Sequence, residues 1–581
     1  RPAINRHGGI AMLLRRLKEY ADIRMTLPPP LYNETPVRYI IELDPSGRLL
    51  SPRPTDTADP ASPKTKRGTR FLMPQIQRAS GVKPLLLADK PDYAIGYQRE
   101  GAKPERIAQC HEAFCDLLNR CAEKTQAAAV LAVQRFLANE PLKQLQFDDS
   151  FDDAAIMTFR VDGIFPTALP AVQNFWASEN DPAARDATVM QCIVCGQQRP
   201  VLDRLQGKIK GVPGGQTSGT ALISANAKAF ESYGLEASLI APTCADCGER
   251  FTKALNDLLA NQESRTLIGG TAFVFWTRED VGFNPLTFLN QADAQQVREL
   301  IESIRRGRRI PAIDTMAFYA TVLTGSGGRT VVREWIDTTV GDVKEQLSAW
   351  FHHQHIVDDR AGTPEPISLY RLATATVREA KDLPPTTPRA MIHAALTGTP
   401  LPMGLLYQAV RRNRAEQRVT RTRAALIKLV LLSRQQNTEE DYMVALDLQN
   451  TDPAYRCGRL LAVLAEIQRN AIGKAAIVDR FYGTASSAPA SVFGRLLRGA
   501  QPHLAKLERD RPGVAIALQR RLEDVMSGLA GFPHTLTLEQ QGLFALGFYH
   551  QRAADFAQMV AAAERRRAKG EPTTEDLSGA V

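Results

Sequence analysis

Two short cysteine pairs, Cys192-Ile-Val-Cys195 and Cys244-Ala-Asp-Cys247, have the spacing of a metal centre. Each Cys-x-x-Cys segment can turn two thiolates onto one tetrahedral ion, and the glycines that follow, Gly196 and Gly248, suit a tight knuckle turn. Four thiolates leave no open coordination position, so a zinc ion held here would staple the chain rather than catalyse a reaction. The pairs stand 48 residues apart, beyond the ~15 to 20 of common zinc ribbons, which calls for a small insertion between them. The alternative is four reduced core thiols, since disulfides are disfavoured in a cytoplasmic chain.

Inside that insertion lies Gly207-Lys-Ile-Lys-Gly-Val-Pro-Gly-Gly-Gln-Thr-Ser-Gly219. Gly214 and Gly215 let the backbone approach a ligand, Lys208 and Lys210 supply positive charge, and Gln216, Thr217, Ser218 and Asn226 offer hydrogen bonds. The composition suits a nucleic-acid backbone or base edge; a plain glycine hairpin is the other reading. No Gly-Lys-Ser/Thr closes the segment, so a Walker loop and nucleotide hydrolysis are not supported. Arg411, Arg414, Arg418, Arg421 and Lys428 follow at spacings of three, four, three and seven. On one helix over Gln408–Arg434 they would share a face, either gripping a polyphosphate or simply meeting solvent. Lys64, Lys66 and Arg67 fall in a Pro-, Thr- and Asp-rich stretch that reads as a basic loop. His352, His353 and His355 with Asp358 and Asp359 are the one cluster with catalytic-metal potential, and a metal-dependent nuclease is the alternative reading they permit. Cys110, Cys115 and Cys121 lie on a helical stretch without a complete ligand set and read as small core hydrophobes.

The elements that must position these residues need several cores, because 581 residues exceed one folding unit. Charged residues at 23% and hydrophobic residues at 44% exclude wholesale disorder. The net charge of +9 is modest, but residues 401–581 hold 25 basic against 18 acidic side chains. No apolar run approaches the ~20 residues of a membrane span, and a cytoplasmic protein is expected. Strands are expected over Val37–Asp44, Ala154–Val161 and Thr271–Trp276, and helices over Ala102–Leu137 and Glu249–Leu259. Beyond the proline-rich run Asp382–Pro388 the apolar periodicity is helical, as in Leu460, Leu461, Leu464 and Ile467. The expected fold class is α+β multidomain: a mixed α/β N-terminal portion, an inserted cysteine-pair region and a C-terminal helical bundle. The expected boundaries are an extension over 1–11, a mixed α/β domain over 12–190, the cysteine and glycine-loop region over 191–260 and a second mixed region over 261–380. A linker over 381–402, a bundle over 403–563 and a tail over 564–581 complete the chain.

Several ordered blocks resemble the Csd family, the large subunit of the type I-C CRISPR Cascade surveillance complex. They are Ile209–Gly234, Ala254–Leu259 and Phe273–Trp276, with Leu27–Pro30, Ser80–Pro84, Asn450–Arg456 and Gln541–Gln551 in the same order. The resemblance implies a non-catalytic subunit that joins guide RNA, backbone subunits, a guide-processing subunit and small subunits. It further implies recognition of the protospacer-adjacent motif in double-stranded DNA, help with duplex opening and R-loop stabilisation, and support for recruiting a helicase-nuclease. Base pairing by the guide would read the target sequence itself. Residue by residue, the glycine loop is the first contact implied, and the basic segment with Arg78 and Lys83 the second. The C-terminal arginines would steady the displaced strand. An internal start for a separate small subunit would fall at Met443. Many members lack the second cysteine pair, so zinc is not implied as essential to the shared activity; a free-standing zinc-dependent RNA-binding protein is a further alternative.

Overall fold

The computed structural model describes residues 6–59, 61, 67–76, 81–99, 101–180, 188–205, 207–225, 227–268, 270–306, 310–358, 364–435 and 443–568. These fall into two compact units. Unit 1 comprises Arg1–Gly211, Gly215–Asp257 and Gly325–Val331, and unit 2 comprises Val212–Gly214, Leu258–Thr324 and Val332–Val581. The architecture is mixed α/β with small sheets and a helical C-terminal region.

In unit 1 the strand expected over Val37–Asp44 is bent at Arg38 into β1 (Tyr32–Val37) and β2 (Tyr39–Leu43). Further along are β3 (Thr55–Asp56), β4 (Thr69–Pro74), β5 (Ala88–Asp89) and β6 (Met157–Val161). β1 pairs antiparallel with β4, while β2 sits between β3 and a parallel β6, with β5 at the far edge. A parallel β2–β6 pair needs a crossover, and the helices Pro104–Thr125 and Ala128–Ala138 lie within it. The first buries Cys110, Phe114, Leu117, Leu118 and Cys121, which fall on one face at helical spacing. They join Ile41, Phe136, Phe159 and Trp176 in the unit 1 core. A short hairpin follows, β7 (Val189–Gln191) with β8 (Gln198–Pro200).

Unit 2 holds a four-stranded sheet in the order β12-β11-β10-β9, built from β9 (Arg265–Ile268), β10 (Thr271–Thr277), β11 (Ala317–Ser326) and β12 (Arg329–Thr339). β10 is buried along its whole length, which explains its unbroken apolar run Ala272–Trp276. The helix Val340–Gln354 starts on a capping box between Thr339 and Asp342. The expected linker over 381–402 instead carries a helix, Thr386–Thr397, closed by Gly398 in the left-handed region. Pro388 sits in its first turn, where the missing N–H has no intrahelical acceptor to lose. The bundle that follows packs Pro453–Ile472 against Leu538–Ala568, with Phe493–Asp510 and Pro512–Ser527 on its flank.

His550 lies fully inside this bundle, with Nδ1 3.0 Å from the Tyr455 hydroxyl. Burial, with repulsion from the Lys428 ammonium, lowers its pKa from 6.5 to about 3. The unfolded imidazole takes up a proton that the folded one refuses, so stability is complete above about pH 6.5 and is lost as pH falls below it, by about 1.4 kcal/mol per pH unit. Denaturant melts of the wild type and His550→Gln between pH 7.5 and 5 should show a shallower pH slope in the variant. Equal slopes would exclude His550 as the titrating group.

Candidate metal centre and nucleic-acid interface

The four cysteines expected to act together do meet in unit 1. Their sulfur atoms all lie within 4.8 Å of one another, and Cys192, Cys244 and Cys247 are buried. A zinc ion with Zn–S bonds near 2.3 Å has tetrahedral edges of about 3.8 Å, which this cluster fits. Cys192 and Cys195 occupy the turn between β7 and β8, where the Cys192 carbonyl accepts from Gly196 N–H at 2.8 Å. Gly196 has φ 73°, as a knuckle demands. Gly248 has a different purpose: Cys244 immediately precedes the helix Ala245–Ala260, and Gly248 lies in its first turn. A Cβ there would stand 2.8 Å from Leu205 Cδ2, the end of a side chain that can shift, so Gly248 eases packing against Leu205 rather than making a turn. The Cys244 N–H points at Cys192 Sγ at 3.5 Å. Hydrogen bonds from Cys244 and Cys247 hold the Cys192 thiol below its usual range. Among the described residues, no other group of three or more His, Cys, Asp or Glu side chains converges in this way.

The helix that begins at the second cysteine pair also braces the glycine-rich segment. Asn256 accepts from the Lys210 N–H at 2.8 Å and donates to the Lys208 carbonyl at 2.9 Å. Ile209 and Thr220 exchange backbone hydrogen bonds of 2.8 Å, and Gly219, at φ 97°, leaves no space for a Cβ, which would lie 2.8 Å from Lys208 Cβ. Beyond this neck Gln216 N–H reaches the Gly327 carbonyl, and Ala221 pairs with Gly328 and Thr330. The segment is therefore a braced loop. Lys208 and Lys210 are exposed on it, as are Gly214, Gln216, Thr217 and Ser218, with Gly215 half-buried. Lys208, Lys210 and Ser218 line a cleft of about 650 Å³ whose wall includes Leu31, Ile76 and Lys253.

Other expected contacts are dispersed. Arg67 is exposed beside Gly68, and Lys83 is exposed. Lys64, Lys66, Arg78 and Asn226 lie outside the described residues.

The single helix expected over Gln408–Arg434 is two helices, Met403–Glu416 and Arg421–Leu432. Gln417 adopts φ 46° at the end of the first, and the Thr420 side chain caps the second. The five-cation stripe is broken accordingly. Arg411, Arg414 and Arg418 are exposed, but Arg421 donates to the Glu365 carbonyl and pairs with Asp358 at 3.8 Å. Lys428 is 1% exposed, and its ammonium donates to the His355 carbonyl at 2.6 Å. Spacings of three, four, three and seven assume one continuous helix and cannot register the chain reversal at Gln417. The same ammonium bears on the histidine cluster: desolvation, then repulsion from His352 and Lys428, lowers the His353 pKa to about 4. Lys428 donates to the His355 carbonyl and Arg421 pairs with Asp358 beside this cluster, and no three of its described His and Asp side chains converge; Asp359 lies outside the described residues.

Several candidate contacts were not singled out in the sequence. Asn256 and Lys253 fall on a helix legible as such, but the hydrogen bonds of Asn256 to the glycine loop and the place of Lys253 in the cleft wall depend on tertiary packing. Arg329 stacks over the Phe230 ring at 3.7 Å, and Tyr233 is 99% exposed with φ 55°, followed by Gly234 with φ 71°. The Tyr-Gly dipeptide was the available signal: two successive left-handed residues make a tight turn that holds the ring outward.

Comparison with known families places a chain of this build among the CRISPR-associated proteins. The family matched is the CRISPR-associated protein Cas_Csd1, over residues 13–556, and the chain belongs to that family. No curated protein matches it. Among the described residues, no helix is long and apolar enough to cross a membrane.

Proposed function

We propose that the chain is the large, non-catalytic subunit of a type I-C surveillance complex. In this reading it recognises the protospacer-adjacent motif in duplex DNA, assists strand separation, stabilises the R-loop and supports helicase-nuclease recruitment. The observation that carries the proposal is the braced loop of unit 1: two exposed lysines held at a cleft by Asn256, with a four-thiolate cluster at the base of the supporting helix. A positioned pair of ammonium groups would grip phosphates and fix the register, leaving the exposed Gln216, Thr217 and Ser218 of the same loop to read the base edges of a short motif. Family membership supports the assembly context of guide RNA, backbone, processing and small subunits. Structural zinc is the ion proposed for the cysteines, because four thiolates favour it and leave it closed.

The test is DNA capture by the complex reconstituted with guide RNA. If both lysines meet phosphates, Lys208→Gln with Lys210→Gln weakens binding about thirtyfold at 0.15 M salt and flattens the log–log salt slope by about 1.8. Unaltered affinity and slope would remove the loop from the interface. Hydrolysis of DNA by the isolated chain, abolished by His353→Ala, would replace this reading with the nuclease.

A further inference from the structure

The chain reversal at Gln417 creates a feature of unit 2 that a continuous helix could not have. It sets the end of helix Met403–Glu416 against the start of helix Arg421–Leu432, where Arg412 and Arg423 bind the two carboxylate oxygens of Glu416. Arg423 also donates to Asn413 Oδ1 and to the Arg418 carbonyl, both at 3.2 Å. These guanidinium groups are largely out of water, with side chains 17% and 7% exposed. Two cations on one carboxylate leave a positive charge in excess. Among the described residues Arg371, Arg378 and Arg411 have no carboxylate partner to offset it. Desolvation, then repulsion from Arg423, Arg378 and Arg411, holds Arg412 below the usual guanidinium range.

Between these groups is an open concavity of about 340 Å³, lined by Arg371, Arg412, Arg423, Thr374 and Thr422, with Glu416 on one side. Around this hollow three guanidinium groups, the exposed Arg371 and the largely buried Arg412 and Arg423, face the single carboxylate of Glu416, a surplus of positive charge that an anion would offset. A tetrahedral oxyanion is the natural occupant, because each planar guanidinium can donate two parallel hydrogen bonds to it. The Thr422 side chain also lines the concavity, whereas the Thr374 hydroxyl is committed to the Tyr370 carbonyl at 2.9 Å and the Arg423 N–H to the Thr420 cap.

We infer that this concavity is a phosphate site, with Arg371, Arg412 and Arg423 as its guanidinium donors, and that its occupant is a phosphodiester of a single-stranded nucleic acid. The phosphate chemistry follows from the side chains; the nucleic-acid source rests on the function proposed above.

Two probes applied to the full chain separate these parts: a 15-nucleotide oligothymidylate measured by fluorescence anisotropy, and inorganic pyrophosphate measured by its effect on the melting temperature. Arg371→Gln changes an exposed side chain and tests the site even if Arg412→Gln folds poorly. One lost single-strand phosphate contact flattens the salt slope by about 0.7 and weakens oligonucleotide binding about fourfold at 0.15 M salt. Both effects in the variants, with the pyrophosphate-induced rise in melting temperature also reduced, establish the site and its source. Loss of the pyrophosphate response with oligonucleotide binding unchanged keeps the site and assigns it a free phosphoryl ligand. A wild type that responds to pyrophosphate through Arg371 but binds no oligonucleotide counts against the proposed function and not against the site. If neither variant alters either response, there is no phosphate site here.

Discussion

Gly458→Ala should destabilise unit 2 by about 3 kcal/mol or more, although alanine is the better helix former by about 1 kcal/mol. Gly458 lies on helix Pro453–Ile472 where it crosses Leu538–Ala568, and a Cβ there would stand 2.0 Å from the Phe544 carbonyl oxygen and 2.8 Å from Phe548 N. Gly547, on the facing helix, would place a Cβ 2.1 Å from the Tyr455 carbonyl oxygen. These obstacles are backbone atoms, so no rotamer change relieves them and the helices must separate. Separation opens the packing of Leu460, Leu461, Phe544, Phe548 and Tyr482, which share the unit 2 core. Gly499→Ala is the control: it lies in helix Phe493–Asp510 with nothing within 4 Å of its would-be Cβ, and should gain up to about 1 kcal/mol. Thermal or urea unfolding reads both. Equal, small effects at 458 and 499 would mean that the two helices do not approach as closely as described.

The second large effect is expected on removing two of the thiolates that would hold the proposed zinc. Purified wild type should carry about one zinc per chain, and Cys244→Ser with Cys247→Ser should carry almost none. Structural zinc supplies on the order of 10 kcal/mol to the folding of small domains. Unit 1 has a separate apolar core around Phe159 and Trp176, so the loss should appear locally. The hairpin β7–β8 and the start of helix Ala245–Ala260 lose their junction, and with it the bracing of Lys208 and Lys210 by Asn256. Trypsin should then cut at these lysines much faster in the variant, while the bulk of unit 1 resists. Metal analysis by mass spectrometry decides the matter first: less than about 0.5 zinc per wild-type chain, in protein purified without chelator, would mean that the four cysteines are reduced thiols.

What could be read from residues alone was whatever depends on near neighbours or on atom type. Thiolate chemistry and spacing announced the four-cysteine cluster, apolar period announced helix Pro104–Thr125, an unbroken apolar and aromatic run announced strand β10, and ordered blocks announced the family. Decisions made between distant segments were not legible. Gly196 and Gly248 look alike after their cysteines, yet one turns the chain and the other makes room for Leu205, which only packing distinguishes. Likewise, helical spacing put Lys428 on a cationic face, but a reversal at Gln417 buried it against the His355 carbonyl and gathered Arg412 and Arg423 around Glu416. Residue type dictates which chemistry a side chain can do; the three-dimensional path of the backbone selects its partners, because charge and hydrogen bonding act over a few ångströms of space and take no account of separation along the chain.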